Sequence, residues 1–383
     1  IKIVKKKKIL EENGFTLNVS AYLNKDKYIN QKFDTYELGN ICEFINGFAF
    51  KPADWCEENN KTLPIIRIQN LNNKKALTNF TEREVSEKFL IKNGQLLFSW
   101  SGSKETSFGA HIWEGNKSLL NQHIFKVLFN SEKVIKKYLF FALNKCVEEV
   151  KNNLHGGVGL VHITKGNLEK IRFPVPSIKE QNEIVEELES FQKIIDGCKQ
   201  VVENYKPIID IDPSWEMVEL KEIIKLSSGQ GLTKKEFRNG NFEVFGGNGI
   251  AGYHDNFFIE DQTIVIGRVG AYCGSIHITS KKCWITDNGL FVKEILKPIN
   301  IEYLALILRK LNLNQYAKVG GQPSISQGEV LRLSIPLPEI SIQEELVFQA
   351  NMIKNLVDQN IKLIEIYEEK FKNKMNKVWG VDI

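Results

Sequence analysis

The sequence predicts an α+β protein built twice over. Two similar mixed modules are separated by two long helices forming an antiparallel coiled coil, and the halves are related by a pseudo-twofold. Three observations predict it. Ile171-Arg172-Phe173-Pro174-Val175-Pro176, followed by Gln181, is echoed 162 residues later by Leu333-Ser334-Ile335-Pro336-Leu337-Pro338, followed by Gln343. Upstream, Ile163-Thr164-Lys165-Gly166 matches Ile325-Ser326-Gln327-Gly328 at the same offset, and a glycine pair (Gly156-Gly157, Gly320-Gly321) precedes each copy. Downstream of each copy runs a stretch with helical apolar periodicity. A long internal duplication sets the architecture before any single motif does, and such an object suits a ligand with two halves.

Composition sets the frame for the elements. At 383 residues the chain exceeds one ordinary core, so two domains plus connectors are expected. A hydrophobic content of 42% with 10% aromatic residues is ordinary for a soluble protein. The net charge of +4 is too small to establish a nucleic-acid partner, and with 44 lysines against 7 arginines each arginine is worth noticing. No apolar run approaches the ~20 residues of a membrane span, and no secretory leader is visible. A cytoplasmic protein without a membrane partner is therefore expected. The start at Ile1 rather than Met suggests a fragment or processed product. Cys42, Cys56, Cys146, Cys198, Cys273 and Cys283 form no C-x-x-C pair, so reduced thiols are expected rather than a metal site.

In chain order, residues 1–33 form a lysine-rich lead-in. Its Lys5–Lys8 run reads either as a nucleic-acid patch or as a solvated helix face. The first module, 34–176, has strand-like runs at 63–68, 95–100 and 124–129 split by Gly, Asn and Ser turns, then a helix at 135–150. A first spacer helix covers 177–206, with Ile184, Leu188, Phe191, Ile195, Cys198, Val202 and Tyr205 at alternating spacings of four and three, a heptad seam. After a linker at 207–214, the second module, 215–338, repeats the order with strands at 263–266, 274–278 and 289–292 and a helix at 301–311. A second spacer helix, 339–379, carries Ile353, Val357, Ile364, Tyr367 and Phe371 on a similar stripe, with Asn360 on the seam as a register-fixing polar group.

No motif points to catalysis. G-x-x-x-x-G-K-[ST] and a strand–helix G-x-G-x-x-G are absent. With no Pro-Pro dipeptide, the Pro-Pro-aromatic motif of amino-methylating DNA enzymes is missing as well. Glu368-Glu369-Lys370 reads as a solvated helix face, and the six histidines show no H-x-x-x-H pair. A binder is expected, with no catalytic, cofactor or metal residues.

Polar hydrogen-bonding residues cluster beside glycine turns in both modules. The candidates are Arg67, Gln69, Asn70, Ser101, Lys104, Gln122 and His123 in the first, and Lys234, Asn248, Tyr253, His254, Arg268, Tyr272 and Asn288 in the second. Arg, Gln, Asn and Lys match the donors and acceptors of base edges in the major groove. Lysine, serine and glycine-turn amides suit phosphate oxygens. Turn chemistry also accounts for Asn and Ser beside glycine. Arg67 and Arg268 stand out as scarce arginines near strand ends.

On these residues the chain resembles the specificity subunit of a type I restriction–modification system, over roughly 34–379. Phe173-Pro174-Val175-Pro176 with Gln181, Ile335-Pro336-Leu337-Pro338 with Gln343, and Gly94-Gln95-Leu96-Leu97-Phe98-Ser99-Trp100-Ser101-Gly102 with its looser counterpart at 261–270 carry the resemblance. Gln262-Thr263-Ile264-Val265 departs from the usual form of that strand. The resemblance implies two target-recognition domains gripping the halves of a bipartite asymmetric site on double-stranded DNA, with the helices as a ruler. About 24 residues of seam at 1.5 Å each give ~36 Å, on the order of one DNA turn. It also implies methylase and restriction partners and adenine-N6 methylation, with S-adenosylmethionine carried by the methylase. Phe15-Thr16-Leu17-Asn18-Val19-Ser20-Ala21-Tyr22-Leu23 resembles the close of the adenine-methylating subunit, with Ala21 where that family has Arg. The chain is therefore expected to be the specificity part of a fused methylase–specificity polypeptide, or of one that also includes the nuclease. The alternative from another class is a non-catalytic protein- or glycan-binding scaffold on a coiled-coil stalk.

Overall fold

The computed structural model describes residues 32–73, 75–102, 108–153, 161–206, 209–318 and 322–381. Lys5–Lys8, the 15–23 segment, Lys104 and both glycine pairs lie outside them. One unit ends at Gly197 and takes the chain up again from Ile364; the other is Cys198–Leu363.

In chain order the first module comprises β1 (Thr35–Glu37), β2 (Cys42–Asn46), β3 (Leu63–Ile66), α1 (Ile68–Asn72), β4 (Asn79–Thr81), β5 (Leu90–Ile91), β6 (Leu96–Ser99) and β7 (Ser101–Gly102). It continues through β8 (Gly109–Ile112), β9 (Ser118–Leu120), β10 (Ile124–Phe129), α2 (Lys136–Asn153), β11 (Val161–His162), α3 (Lys165–Glu169) and β12 (Arg172–Pro174). The long helix α4 (Ile178–Asn204) follows. The second module comprises β13 (Met217–Glu219), α5 (Leu220–Ile223), β14 (Ile224–Ser228), β15 (Phe242–Gly246), β16 (Gly249–His254), β17 (Ile264–Gly267) and β18 (Ile276–Ile278). Then come β19 (Trp284–Ile285), β20 (Gly289–Ile295), α6 (Ile301–Lys310), α7 (Gln327–Leu331), β21 (Ser334–Pro336) and α8 (Ile340–Val378).

The main-sheet topology is the same in both modules. The main sheet runs β2-β10-β6-β8 in the first module and β14-β20-β17-β18 in the second. A second sheet, β4-β3-β9-β5 or β16-β15-β19, contains one parallel pair, Ile65↔Leu119 or Val244↔Trp284. Period-two alternation divides the central strands between two cores. Leu96 and Phe98 join the core that holds Tyr138, Leu139 and Leu143 of α2, while Leu97 packs with Ile66 and Leu120 of the second sheet. Likewise Ile264 and Ile266 join Tyr303 and Leu304 of α6, and Val265 packs with Phe245 and Ile285. Buried on both faces, these strands read as unbroken apolar runs.

Each Pro-x-Pro sits at the end of a two-stranded ribbon, β1–β12 or β13–β21. The glutamine after it ties ribbon, helix and module together. Gln181, fully buried, donates to the carbonyls of Lys133 and Pro176 (2.8 Å each) and accepts from the Ile135 amide at 2.9 Å, just before α2. Gln343 donates to Pro338 and accepts from the Asn300 amide at the start of α6, both at 2.8 Å. At the start of α4, Ser177 and Glu180 form a reciprocal cap, which holds the Glu180 carboxyl below the ordinary carboxylate range.

Within the first unit, the end of α8 runs antiparallel to α4. Phe191 meets Tyr367 with ring centroids 5.7 Å apart, and further along Glu187 pairs with Lys374. Ile184 and Leu188 are buried, and Met375, Val378 and Trp379 complete the same core. One correction applies to the second stripe. Val357 is buried, but Ile353 is 44% exposed, as are Met352 and Leu356 on either side of it. Another concerns 63–68: the strand stops at Ile66, and Arg67 becomes the cap of α1.

Candidate nucleic-acid interface

The loops at one end of each main sheet are held by matching backbone bonds. In the first module the Trp100 amide donates to the His123 carbonyl at 3.1 Å, and the Trp100 carbonyl accepts from the Ile163 amide at 3.2 Å. In the second the Arg268 amide donates to Asn288 at 2.9 Å, and its carbonyl accepts from Ile325 at 2.9 Å. Gly47 donates to Ile124 and Gly229 to Gly289, each at 3.0 Å. A Cβ on Gly47 would lie 2.0 Å from the Asn121 carbonyl oxygen, and one on Gly229 2.1 Å from that of Thr286. Only glycine permits that approach. Asn46-Gly47-Phe48 and Ser228-Gly229-Gln230, Asn121-Gln122-His123 and Thr286-Asp287-Asn288, and Trp100 and Arg268 are therefore equivalent positions.

The side chains set on this shared frame differ. Arg268 is exposed and makes no ion pair among the described residues, and Asn288 beside it is exposed too. Tyr272, 57% exposed, follows Gly270, which takes a left-handed φ of +83°. Gly247 approaches the Asn288 carbonyl closely enough that a Cβ would sit 3.1 Å from it, which brings the exposed Asn248 alongside. In the first module Trp100 donates Nε1–H to Asn46 Oδ1 at 3.1 Å, with ring centroids 4.9 Å from His123 and 5.8 Å from Phe125. His123 itself has φ +74°, and both it and Gln122 are half-buried.

Other candidates are placed differently. Arg67 is half-buried, with its guanidinium 5.6 Å from the Trp55 ring centroid and 3.4 Å from Asn79 Oδ1. Asn70 requires correction as a contact residue. It is buried, its Oδ1 accepts from the Arg67 amide and its Nδ2 donates to Thr78 Oγ1 at 3.2 Å, so its polar atoms brace the loop after α1. Gln69 does the same work through the Leu77 carbonyl at 2.9 Å. His254 is likewise structural: 3% exposed, with Nδ1 accepting from the Arg238 amide at 3.0 Å. Ser101 is buried, in β7. Tyr253 is 53% exposed on β16, and Lys234 is exposed on the 3-10 turn Lys234–Glu236.

Sequence reasoning took Trp100 only as part of the stretch that closes the 95–100 strand, and it did not find Asn46. The separation between equivalent residues shrinks from 182 (Gly47, Gly229) through 168 (Trp100, Arg268) to 162 (Ile163, Ile325), so a fixed-offset search finds only the last. Nearby, His277 Nε2 lies 3.2 Å from Ser275 Oγ, which donates to the Gly247 carbonyl. Burial and then the Arg309 charge hold the His277 pKa below the ordinary histidine value. Among the described residues no cluster could hold a metal ion, and no helix is long and apolar enough to cross a membrane.

Fold and loop frame together define a tandem protein, with one scaffold built twice to carry two different sets of side chains at equivalent positions. The family model of the type I restriction modification DNA specificity domain matches twice, over residues 30–204 and 213–368, and the chain belongs to that family. It is similar to the type I restriction enzyme EcoprrI specificity subunit of Escherichia coli, 31% identical over 129 residues, which is 32% of each chain. It is also similar to the MjaVIII specificity subunit of Methanocaldococcus jannaschii, 23% identical over 91% of this chain and 92% of that one. Among solved structures, the S subunit of a type I restriction–modification system from M. genitalium shares the fold, with a TM-score of 0.55 at 15% identity over 91% of this chain and 96% of that one. So does a chain from the type I R-M system solved for its complex assembly and conformational transition, with a TM-score of 0.58 at 14% identity over 92% and 98%. The chain is accordingly a DNA-specificity protein of that family.

Proposed function

We propose that each module reads one half of a bipartite, asymmetric DNA site and that the chain directs adenine-N6 methylation and restriction carried out by partners. The observation that carries this is the shared loop frame with unlike side chains: Arg268 and Asn288 in one copy, Trp100 and His123 in the other. A common frame keeps the docking geometry while the side chains set the base preference. The candidate contacts that remain outward-facing are Arg268, Asn288, Tyr272, Asn248, Tyr253 and Lys234, with Gln122, His123 and Arg67 half-buried.

The domain plan follows as 34–176 and 215–338 for the recognition domains and 177–206 and 339–379 for the spacer helices. At 27 and 39 residues, α4 and α8 are ~40 and ~58 Å long, sufficient to span the unread bases between half-sites. The methylase, separate or fused, would bring S-adenosylmethionine and flip the adenine, and a restriction subunit would cut. A role on DNA supports the cytoplasm as the place of action. Family membership gives no support to the glycan- or protein-scaffold alternative.

The test is selection from randomised duplexes by the protein with its methylase. Two short preferred sequences at a fixed separation are expected, with affinity falling steeply as salt rises. A single contiguous site, or binding insensitive to salt, would overturn the reading.

A further inference from the structure

We propose that His277 is a positioning residue for DNA reading by the second module, holding the turn between β15 and β16 against the strand end that carries Arg268 through the hydroxyl of Ser275. This rests on the DNA-reading function above and gives one half of it a residue on which its selectivity depends.

The contact chain is short. Ser275 Oγ donates to the Gly247 carbonyl, and His277 Nε2 lies 3.2 Å from the same serine oxygen. That carbonyl packs against the backbone of the loop frame: a Cβ on Gly267, the residue before Arg268, would meet it at 2.4 Å. The Arg268 amide in turn donates to Asn288 at 2.9 Å, and a Cβ on Gly247 would lie 3.1 Å from the Asn288 carbonyl oxygen. The imidazole also supports the far end of the turn, where a Cβ on Gly249 would stand 3.1 Å from Nδ1. The exposed Asn248 and Arg268 are thus set relative to one another by one serine, and the serine is set by one histidine.

Proton counting fixes the state of the ring. A carbonyl can only accept, so the single hydroxyl hydrogen of Ser275 is committed to Gly247. His277 must then supply the hydrogen of its own bond to Ser275, which places the proton of the neutral imidazole on Nε2 and leaves Nδ1 without one. Glu243 of β15, Glu302 and Arg309 of α6, Tyr205, and Lys354 and Asp358 of α8 line the cavity that His277 also lines. Burial and then the Arg309 charge hold its pKa down, so the carboxylates do not rescue the charged form. A lowered folded-state pKa contributes stability that is fully present above the ordinary 6.5 and is lost as pH falls through the lowered value. Acid therefore favours arrangements in which the ring leaves Gly249 and Ser275.

His111 provides the comparison. It pairs with Leu97 on β8 as His277 pairs with Val265 on β18, and burial lowers its pKa as well. Two residues before it stands Gly109 in place of Ser275, so the first module has the histidine without the hydroxyl.

The experiment takes the full-length protein with its methylase as wild type, S275A, H277L, H277Q and H111Q, and selects from randomised duplexes between about pH 8 and about pH 5.5. At the alkaline end S275A and H277L should each weaken preference in the same half-site about fivefold, the effect of one hydrogen bond, and leave the other half intact. H277Q keeps an N–H donor and does not titrate. It should restore most of that preference and hold it on acidification, whereas the wild type loses it as pH falls below 6.5. H111Q should leave this half-site and its pH dependence as in the wild type. If H277L does not fold, S275A and the pH profiles of the wild type and H277Q carry the test. Wild-type profiles in S275A and H277L, equal weakening of both half-sites, or an acid loss identical in the wild type and H277Q would overturn the proposal. A wild-type selection without any preferred sequence would instead overturn the DNA-reading function beneath it.

Discussion

Trp100 and Arg268 occupy one backbone position of a fold that the chain builds twice. Each donates its amide to the turn that ends in His123 or Asn288, and each accepts from the isoleucine, Ile163 or Ile325, that opens the repeated motif. The pairing joins the strong part of the duplication to its most divergent part. It also explains how one scaffold can present a guanidinium in one copy and an indole in the other.

Arg268→Ala is expected to relax preference within one half-site by about 1–3 kcal/mol, leaving the other half intact. Methylation-site sequencing of the assembled enzyme reads this directly. A loss shared equally by all sequences would mark Arg268 as a phosphate contact.

Deleting one heptad from each long helix should shorten the unread spacer and leave both half-site sequences unchanged. Seven residues remove ~10 Å of helix, about three base pairs at 3.4 Å each. Selection with the shortened protein checks it, and an altered half-site with the old spacer would refute the ruler.

Gln181→Ala and Gln343→Ala should each destabilise their own unit by about 2 kcal/mol, because each strands buried backbone groups that have no other partner in the bonds described. Denaturant unfolding should register both. Replacement by Glu should be worse, since it buries a charge and loses the donor.

Gly229→Ala puts a methyl group 2.1 Å from the Thr286 carbonyl oxygen, a backbone atom that cannot swing away. Destabilisation of about 3 kcal/mol is expected, together with weakened selectivity in the half-site assigned by proposal to Arg268. Gly231→Ala, with open space at its Cβ, is the control and should do neither.

Alkali should loosen the second unit through Tyr303. Its hydroxyl donates to the Pro336 carbonyl at 2.9 Å, and burial pushes its pKa from 10.0 up to about 12. A raised folded-state pKa contributes stability that is fully present below pH 10 and lost as pH rises through about 12. Tyr303→Phe should flatten the stability profile over that window, although it lowers stability at pH 7 by about 1 kcal/mol. Pressure of the same kind acts on Tyr138, whose hydroxyl donates to Pro174 at 2.8 Å and whose pKa is also raised by burial.

Much of the fold is legible in the sequence. Pro174-x-Pro176 with Gln181, and its copy at 336–343, mark where each module hands over to a helix, and the structure gives both glutamines the same buried job. The apolar runs at 95–100 and 263–266 became central strands because burial on both faces leaves no polar alternation to misread. The contact residues were harder. Asn70 and His254 have the right chemistry and the wrong surroundings, being enclosed by their own loops.

By itself the sequence determined that there are two modules, that each ends at a proline-bounded ribbon, and that a long helix follows each. Local spacing and repeated residues carry that information, and no distant contact is needed to decode it. Which side chains stand at the head of each module was decided only by tertiary structure. Loops of unequal length shift the register of the duplication, and residues as far apart as Trp100 and Ile163 become neighbours only when the backbone hydrogen bonds close.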